Sequence, residues 1–289
     1  MKTKGYKLCR FQQARGPVRV GILKASSVLD LSALGVESLT SLLEGKGIVA
    51  RLKKLCRLKP PCVSLRKVRF LTPVEGQVVW AAGVTYFRSK TARMEESDIS
   101  ASAYDLVYDA KRPELFMKSL SENVVHPGDP VGIRKDARWN VPEPELSLVM
   151  NSKGDIVGYT VGNDMSSRDI EGENLLYLPQ AKLYHRACTV GPCIVVGPSE
   201  KEVRSWTIRL QIRRKGREVF GGSTKVNQIK RSFKELAGYL YRSQKFPNGA
   251  VLLTGTGIVP SNEFTLRAGD WVKIAISGIG TLENPVVRV

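Results

Sequence analysis

The most constraining stretch of this chain is an apolar hairpin pattern with acid at its open end. It runs Val141-Pro-Glu143-Pro-Glu145-Leu-Ser-Leu-Val-Met150, then Asn151-Ser-Lys-Gly154, then Asp155-Ile-Val-Gly-Tyr-Thr-Val-Gly-Asn163-Asp164. Two apolar runs flanking an Asn/Ser/Gly segment read as antiparallel strands joined by a four-residue turn. Residues two apart on a strand share a face, so Glu143 and Glu145 point the same way. With Met150 opposite Asp155, Glu145 would face Thr160 and Val141 would face Asp164. Opposed residues also share a face, so all three carboxylates converge. A register slip of one residue would throw Asp164 to the other side. Three clustered carboxylates repel one another unless a cation lies between them. Oxygen-only donors favour Mg²⁺ or Mn²⁺, or Ca²⁺, over zinc. The plain alternative is a solvated acidic strand end.

The surrounding sequence limits the fold class. The chain has 289 residues, 42% hydrophobic and 25% charged, which excludes wholesale disorder and collagen-like repeats. No apolar run reaches the roughly 18 residues of a membrane span, and the first residues do not read as a signal peptide. The expectation is a cytoplasmic protein with no membrane partner. Five cysteines (Cys9, Cys56, Cys62, Cys188 and Cys193) are too few for a disulfide scaffold and too loosely spaced for a zinc knuckle. The two histidines, His126 and His185, accompany no Gly-x-Ser-x-Gly nucleophile elbow, so each reads as a surface or hydrogen-bonding residue.

Charge is lopsided. The net charge is +18, and residues 1–72 hold 16 Lys+Arg against 3 Asp+Glu. The densest run is Arg51-Leu-Lys53-Lys54-Leu-Cys-Arg57-Leu-Lys59, whose leucines at 52, 55 and 58 suggest one apolar stripe on a basic helix. No aromatic residues interleave with these charges, so no specific nucleic-acid partner is read from them. Strands are expected over Val18–Leu23, Val28–Leu31 and Val68–Pro73, with helix over most of Glu37–Lys54. This gives a small basic α/β domain over 1–72. Val78–Val84 opens a second, catalytic domain over 73–289, which continues as a β-rich body of short apolar runs between Gly, Pro and Asn turns. The polar segment 88–109 reads as a helix or a lid.

The residues after the hairpin carry a resemblance. Asn163-Asp164-Met-Ser166-Ser-Arg168-Asp169-Ile-Glu171 resembles the signature of the fumarylacetoacetate hydrolase family, with Glu143-x-Glu145 at the family spacing upstream. Leu253-Thr-Gly255-Thr256-Gly and Ala268-Gly-Asp270-Trp-Val through Asn284 are similar to its C-terminal blocks, so the resemblance spans about 76–289. It implies a β-rich α+β fold with a mixed, barrel-like sheet, and a divalent metal held by Glu143, Glu145 and Asp164. It also implies an active-site lysine at Lys182 and a substrate contact at Thr256. Arg168, Tyr86 and Gln180 lie in motifs of the same blocks and are further candidates for substrate contact. Relatives assemble, which implies a homo-oligomer.

Hydrolases of this family use a His-Glu dyad, yet the segment Gly83–Glu96 has no histidine. Without that base, activation of water for C–C cleavage lacks its agent. The runs Trp80–Tyr86, Arg112–Phe116 and Arg168–Lys182 are similar instead to a dehydratase branch. The implied reaction removes water from 2-keto-3-deoxy-D-arabinonate, a small anionic 2-keto acid of pentose catabolism, to give 2,5-dioxopentanoate. Acylpyruvate hydrolysis and oxaloacetate decarboxylation are the alternatives. For the dehydration, Lys182 is the candidate base, since a lysine beside a divalent cation can have its pKa lowered. Glu114 is the candidate acid, though it follows Pro113 and could simply be a helix-entry carboxylate.

Overall fold

The computed structural model describes residues 5–88 and 106–289. Most of the segment 88–109 lies outside these residues. The strands are β1 (Tyr6–Gln12), β2 (Arg19–Leu23), β3 (Ser27–Asp30), β4 (Cys62–Ser64), β5 (Arg69–Leu71), β6 (Val78–Gly83), β7 (Glu114–Ser119), β8 (Val131–Ile133), β9 (Asn140–Val141), β10 (Pro144–Met150), β11 (Ile156–Asp164), β12 (Ser166–Ser167), β13 (Cys188–Val196), β14 (Thr207–Arg214), β15 (Arg217–Lys225), β16 (Ala250–Leu253), β17 (Trp271–Ile276) and β18 (Gly280–Arg288). The largest sheet follows the order β4-β3-β2-β1-β13-β11-β10-β16-β6-β7, with β5 also paired to β1. Five strands form a second sheet, β15-β14-β17-β18-β8. Pairing is mostly antiparallel, but β16–β6 and β18–β8 are parallel. The architecture is thus the expected strand-rich mixed sheet, while β4 and β7 end the large sheet without closing it into a barrel.

Two helices stand between β3 and β4. The first, α1 (Leu39–Glu44), is capped by Ser38, whose hydroxyl accepts the N–H of Ser41 at 3.1 Å. The second, α2 (Ile48–Arg57), begins after Gly47 at φ +66. The Gly45-Lys-Gly47 break divides the single helical stretch expected over 37–54. Of the leucine stripe, Leu52 is buried and Leu58 is 58% exposed, because the helix stops at Arg57 and Leu58 lies past its end.

The core lies in two layers, one on each face of the large sheet. On one face Val149, Ile194 and Leu253 pack with Leu39, Leu42, Leu43 and Leu52 of the helices. On the other, Leu146, Leu148 and Val161 pack with Ile208, Leu210, Ile274 and Leu282 of the second sheet. The basic leading segment therefore covers the large sheet and also extends it, since β1 pairs directly with β13. Sequence pattern does not foretell β1, whose Lys7 and Arg10 interrupt its apolar run. With both faces covered, β10 is buried at every residue and β11 over its last seven. Such strands read as near-continuous apolar runs, as this hairpin does.

The hairpin register differs from the simple expectation. Glu145 stands opposite Gly162, not Thr160, and Glu143 exchanges backbone hydrogen bonds with Asp164 at 3.0 and 3.2 Å. One residue of the offset comes from a longer turn, in which Asn151 N–H donates to Asp155 O. The other comes from an irregularity at Val149/Met150. Two slips of one residue restore the face, so the carboxylates still converge.

Candidate active site

Five strand ends meet at one end of the large sheet: the starts of β7 and β10 and the ends of β6, β11 and β16. They surround a narrow cavity lined by Glu114, Glu143, Glu145, Asp164, Arg168, Glu171, Lys182 and Thr256, among others. One ligand oxygen each from Glu143, Glu145 and Asp164 lies within 4.8 Å of the others, and all three residues are buried. The converging acids inferred from the hairpin are thus found together.

Each carboxylate is held differently. Glu143 accepts from Arg168 at 2.9 Å and from Lys182 at 2.6 Å. Asp164 lies 2.6 Å from the Lys118 ammonium and 3.5 Å from that of Lys182. Glu145 accepts the backbone N–H of Gly255, at 2.5 Å, and among the described residues has no cationic partner within ion-pair distance. Burial, and then the carboxylates of Asp164 and Glu143, push the Glu145 carboxyl well above its ordinary range. A buried carboxylate without a counterion costs several kcal/mol. Among the described residues the lining holds five carboxylates, while Arg168, Lys182 and Lys118 supply three cations. All-oxygen donors of this kind suit Mg²⁺ or Mn²⁺.

The elements explain how the side chains arrive. Arg168 and Glu171 lie three apart on the short helix Arg168–Glu173, so they share a face. Lys182 ends the helix Leu178–Lys182, and its ammonium also lies 3.8 Å from Glu171. Gly255 adopts φ +91, which turns its N–H toward Glu145. Gly83 makes room for Glu114: a methyl group at Gly83 would collide with the Glu114 carboxylate.

Two candidates lie elsewhere. Gln180 is exposed, on the outside of the helix that carries Lys182. Tyr86 is buried against Gly257 and does not line the cavity. Neither histidine lines it: His185 is exposed, and the His126 Nδ1 accepts the N–H of Thr72 at 3.3 Å. Sequence reasoning missed Lys118 and, as a site residue, Glu171. The available signals were a lysine directly after the apolar run Leu115-Phe116-Met117 and the helical spacing from Arg168.

This fold and donor set can be placed among known proteins. Residues 79–287 match the family described as Fumarylacetoacetate (FAA) hydrolase C-terminal. The chain belongs to the fumarylacetoacetate hydrolase family. It is 49% identical over 217 residues to a probable 2-keto-3-deoxyxylonate dehydratase of Haloferax volcanii, covering 75% of this chain and 74% of that one. It is 40% identical over 227 residues to the 2-dehydro-3-deoxy-D-arabinonate dehydratase of Saccharolobus solfataricus, covering 78% and 76%. A solved 2-keto-3-deoxy-D-arabinonate dehydratase, complexed with magnesium and 2,5-dioxopentanoate, superposes with a TM-score of 0.82 at 34% identity, over 98% of this chain and 99% of that one.

Proposed function

We propose that this chain is a divalent-cation-dependent dehydratase of a 2-keto-3-deoxy sugar acid, converting 2-keto-3-deoxy-D-arabinonate to 2,5-dioxopentanoate and water. The observation that carries the reading is Glu145, a buried carboxylate between two others, with no cation of its own among the described residues. The dehydratase relatives supply the reaction class. Glu143, Glu145 and Asp164 would hold Mg²⁺ (or Mn²⁺ or Ca²⁺), which would supply Lewis-acid stabilisation of the negative charge that develops on loss of the C3 proton.

The chain's own groups do the rest. Lys182 removes the C3 proton, so its amine is neutral in the working state. Glu114, on the same cavity wall, gives a proton to the departing C4 hydroxyl. Proton shifts then bring C5 to the aldehyde level, so loss of one water accounts for every atom and no oxidant is needed. Arg168 and Thr256, which line the cavity, hold the anionic substrate. Tyr86 and Gln180 complete its contacts only if the walls rearrange on binding.

The same reading takes in a homo-oligomer, a cytoplasmic setting and a role in pentose catabolism. No described helix is long and apolar enough to cross a membrane. It also divides the labour at residue 72: the leading segment covers the sheet, while every cavity-lining residue follows residue 73.

The deciding experiment incubates the protein and Mg²⁺ with 2-keto-3-deoxy-D-arabinonate, and separately with an acylpyruvate and oxaloacetate, following products by NMR. Formation of 2,5-dioxopentanoate is expected. C–C cleavage of the acylpyruvate or loss of CO₂ from oxaloacetate, without dehydration, would overturn the assignment.

A further inference from the structure

Among the described residues, Lys118 is the one cation at the site that neither the motifs nor the reaction scheme uses. It is 1% exposed, at the fifth of the six residues of β7, directly after the apolar run Leu115-Phe116-Met117. Its ammonium donates to Met165 O at 2.8 Å and to Lys182 O at 2.5 Å, and lies 2.6 Å from Asp164 Oδ1. One side chain thus ties the backbone after one carboxylate to the end of the helix that presents Lys182. The strand is shaped to put it there. Val79 pairs with Ser119 and Trp80 with Met117, so Lys118 is the extra residue of a β-bulge. Bulges re-aim a side chain and recur beside active sites. Burying a lysine costs free energy unless its partners are arranged to receive it, and here all three are.

The carboxylates show what this achieves. Glu145 Oε2 is held by the Gly255 N–H and Glu143 Oε1 by Arg168, and Asp164 Oδ1 faces the Lys118 ammonium; Lys182, the base of the reaction scheme, reaches Glu143 Oε2 at 2.6 Å and Asp164 Oδ2 only at 3.5 Å. An ammonium 2.6 Å from one oxygen repels a divalent ion from that oxygen and steers it to the other. One-oxygen ligation suits a small ion that demands six near-octahedral ligands. Two-oxygen ligation suits the larger Ca²⁺, which accepts six to eight.

We propose that Lys118 is a positioning residue that restricts Asp164 to a single ligand oxygen, and that it thereby makes the site select an ion of Mg²⁺ size over Ca²⁺. The inference rests on the divalent-cation reading above and adds the reason for the choice of ion.

The test measures Mg²⁺ and Ca²⁺ binding separately by calorimetry and by thermal shift, without substrate. Wild-type protein is expected to bind Mg²⁺ more tightly than Ca²⁺. Lys118→Met removes the charge, and Lys118→Gln removes it while keeping donors for the two carbonyls. In both, the ratio of Mg²⁺ to Ca²⁺ affinity should fall about 10- to 100-fold, so the preference narrows or inverts. Equal losses for the two ions would show a merely structural lysine and overturn the proposal. Wild-type protein that prefers Ca²⁺ overturns it whether or not the variants fold. Failure to bind either ion would instead strike the divalent-cation reading itself, so the two failures are distinguishable.

Discussion

Two hairpins in this molecule obey the same local rules and treat charge in opposite ways. The β14–β15 hairpin alternates buried and exposed residues along β14, and its partner strand is the edge of the five-stranded sheet. Its Glu218 is exposed and accepts a hydrogen bond from Gln211. The β10–β11 hairpin lies mid-sheet, between β16 and β13, with a core layer on each face. An acid on the first is solvated and costs little. An acid on the second must be matched by a fixed donor or a cation. The same residue type is therefore solvated surface in one hairpin and a buried member of a carboxylate cluster in the other, and the difference lies in what covers the strand.

The comparison can be broken most decisively at Lys182. Lys182→Ala should lower turnover by about 10³-fold, the scale of a lost proton-transfer group. Mg²⁺ should bind at least as well, because the variant removes a cation from beside Glu143 and Asp164. Normal turnover, or loss of Mg²⁺ binding in calorimetry, contradicts the role. A smaller effect is expected from Gly83→Ala, whose methyl displaces the Glu114 carboxylate. Turnover should drop by up to about 10²-fold, as for a misplaced reacting group, with Mg²⁺ affinity unchanged. An unchanged rate would remove Glu114 from the reaction.

A pH series sharpens the contrast further. In the metal-free fold the Glu145 pKa is raised above its ordinary 4.5 by burial and by Asp164 and Glu143. The fold thus favours the protonated form, and that contribution to stability is lost as pH rises through the raised value. Metal binding needs the carboxylate. The gain in Tm at a fixed Mg²⁺ concentration should therefore climb as pH rises from about 4.5, levelling once the raised pKa is passed. A gain that is flat or falls with pH contradicts it. The smallest effect belongs to the other hairpin: Glu218→Ala should change unfolding free energy by no more than about 0.5 kcal/mol, leaving turnover and Mg²⁺ binding unchanged. A large loss of either would mean the two hairpins are not as different as their burial implies.

Much of the site is legible in the sequence, for a reason that also explains the gaps. Strand alternation is a short-range property, so the two-residue spacing of Glu143 and Glu145 is enough to set them on one face. Asp164 joins them because a hairpin keeps its two strands close in sequence. The predicted register misses by two residues, since neither the longer turn nor the irregularity at Val149/Met150 has a local signature, but an even error leaves the face intact. Lys118 is not legible as a site residue, because an extra residue in β7 is defined by its partner β6. Tyr86 and Gln180 stand in site-like motifs, yet one is buried behind Gly257 and the other exposed.

By itself, the sequence determined that an acidic cluster would form at the open end of an apolar hairpin, because residue spacing alone sets which side chains share a face. The tertiary structure decided what surrounds that cluster. The Gly255 N–H that reaches Glu145 comes from 110 residues away, and the Lys118 ammonium that reaches Asp164 depends on a bulge between two other strands. Contacts of that kind are fixed by which strands pair and where each pairing slips, and they depend on the packing of the whole chain.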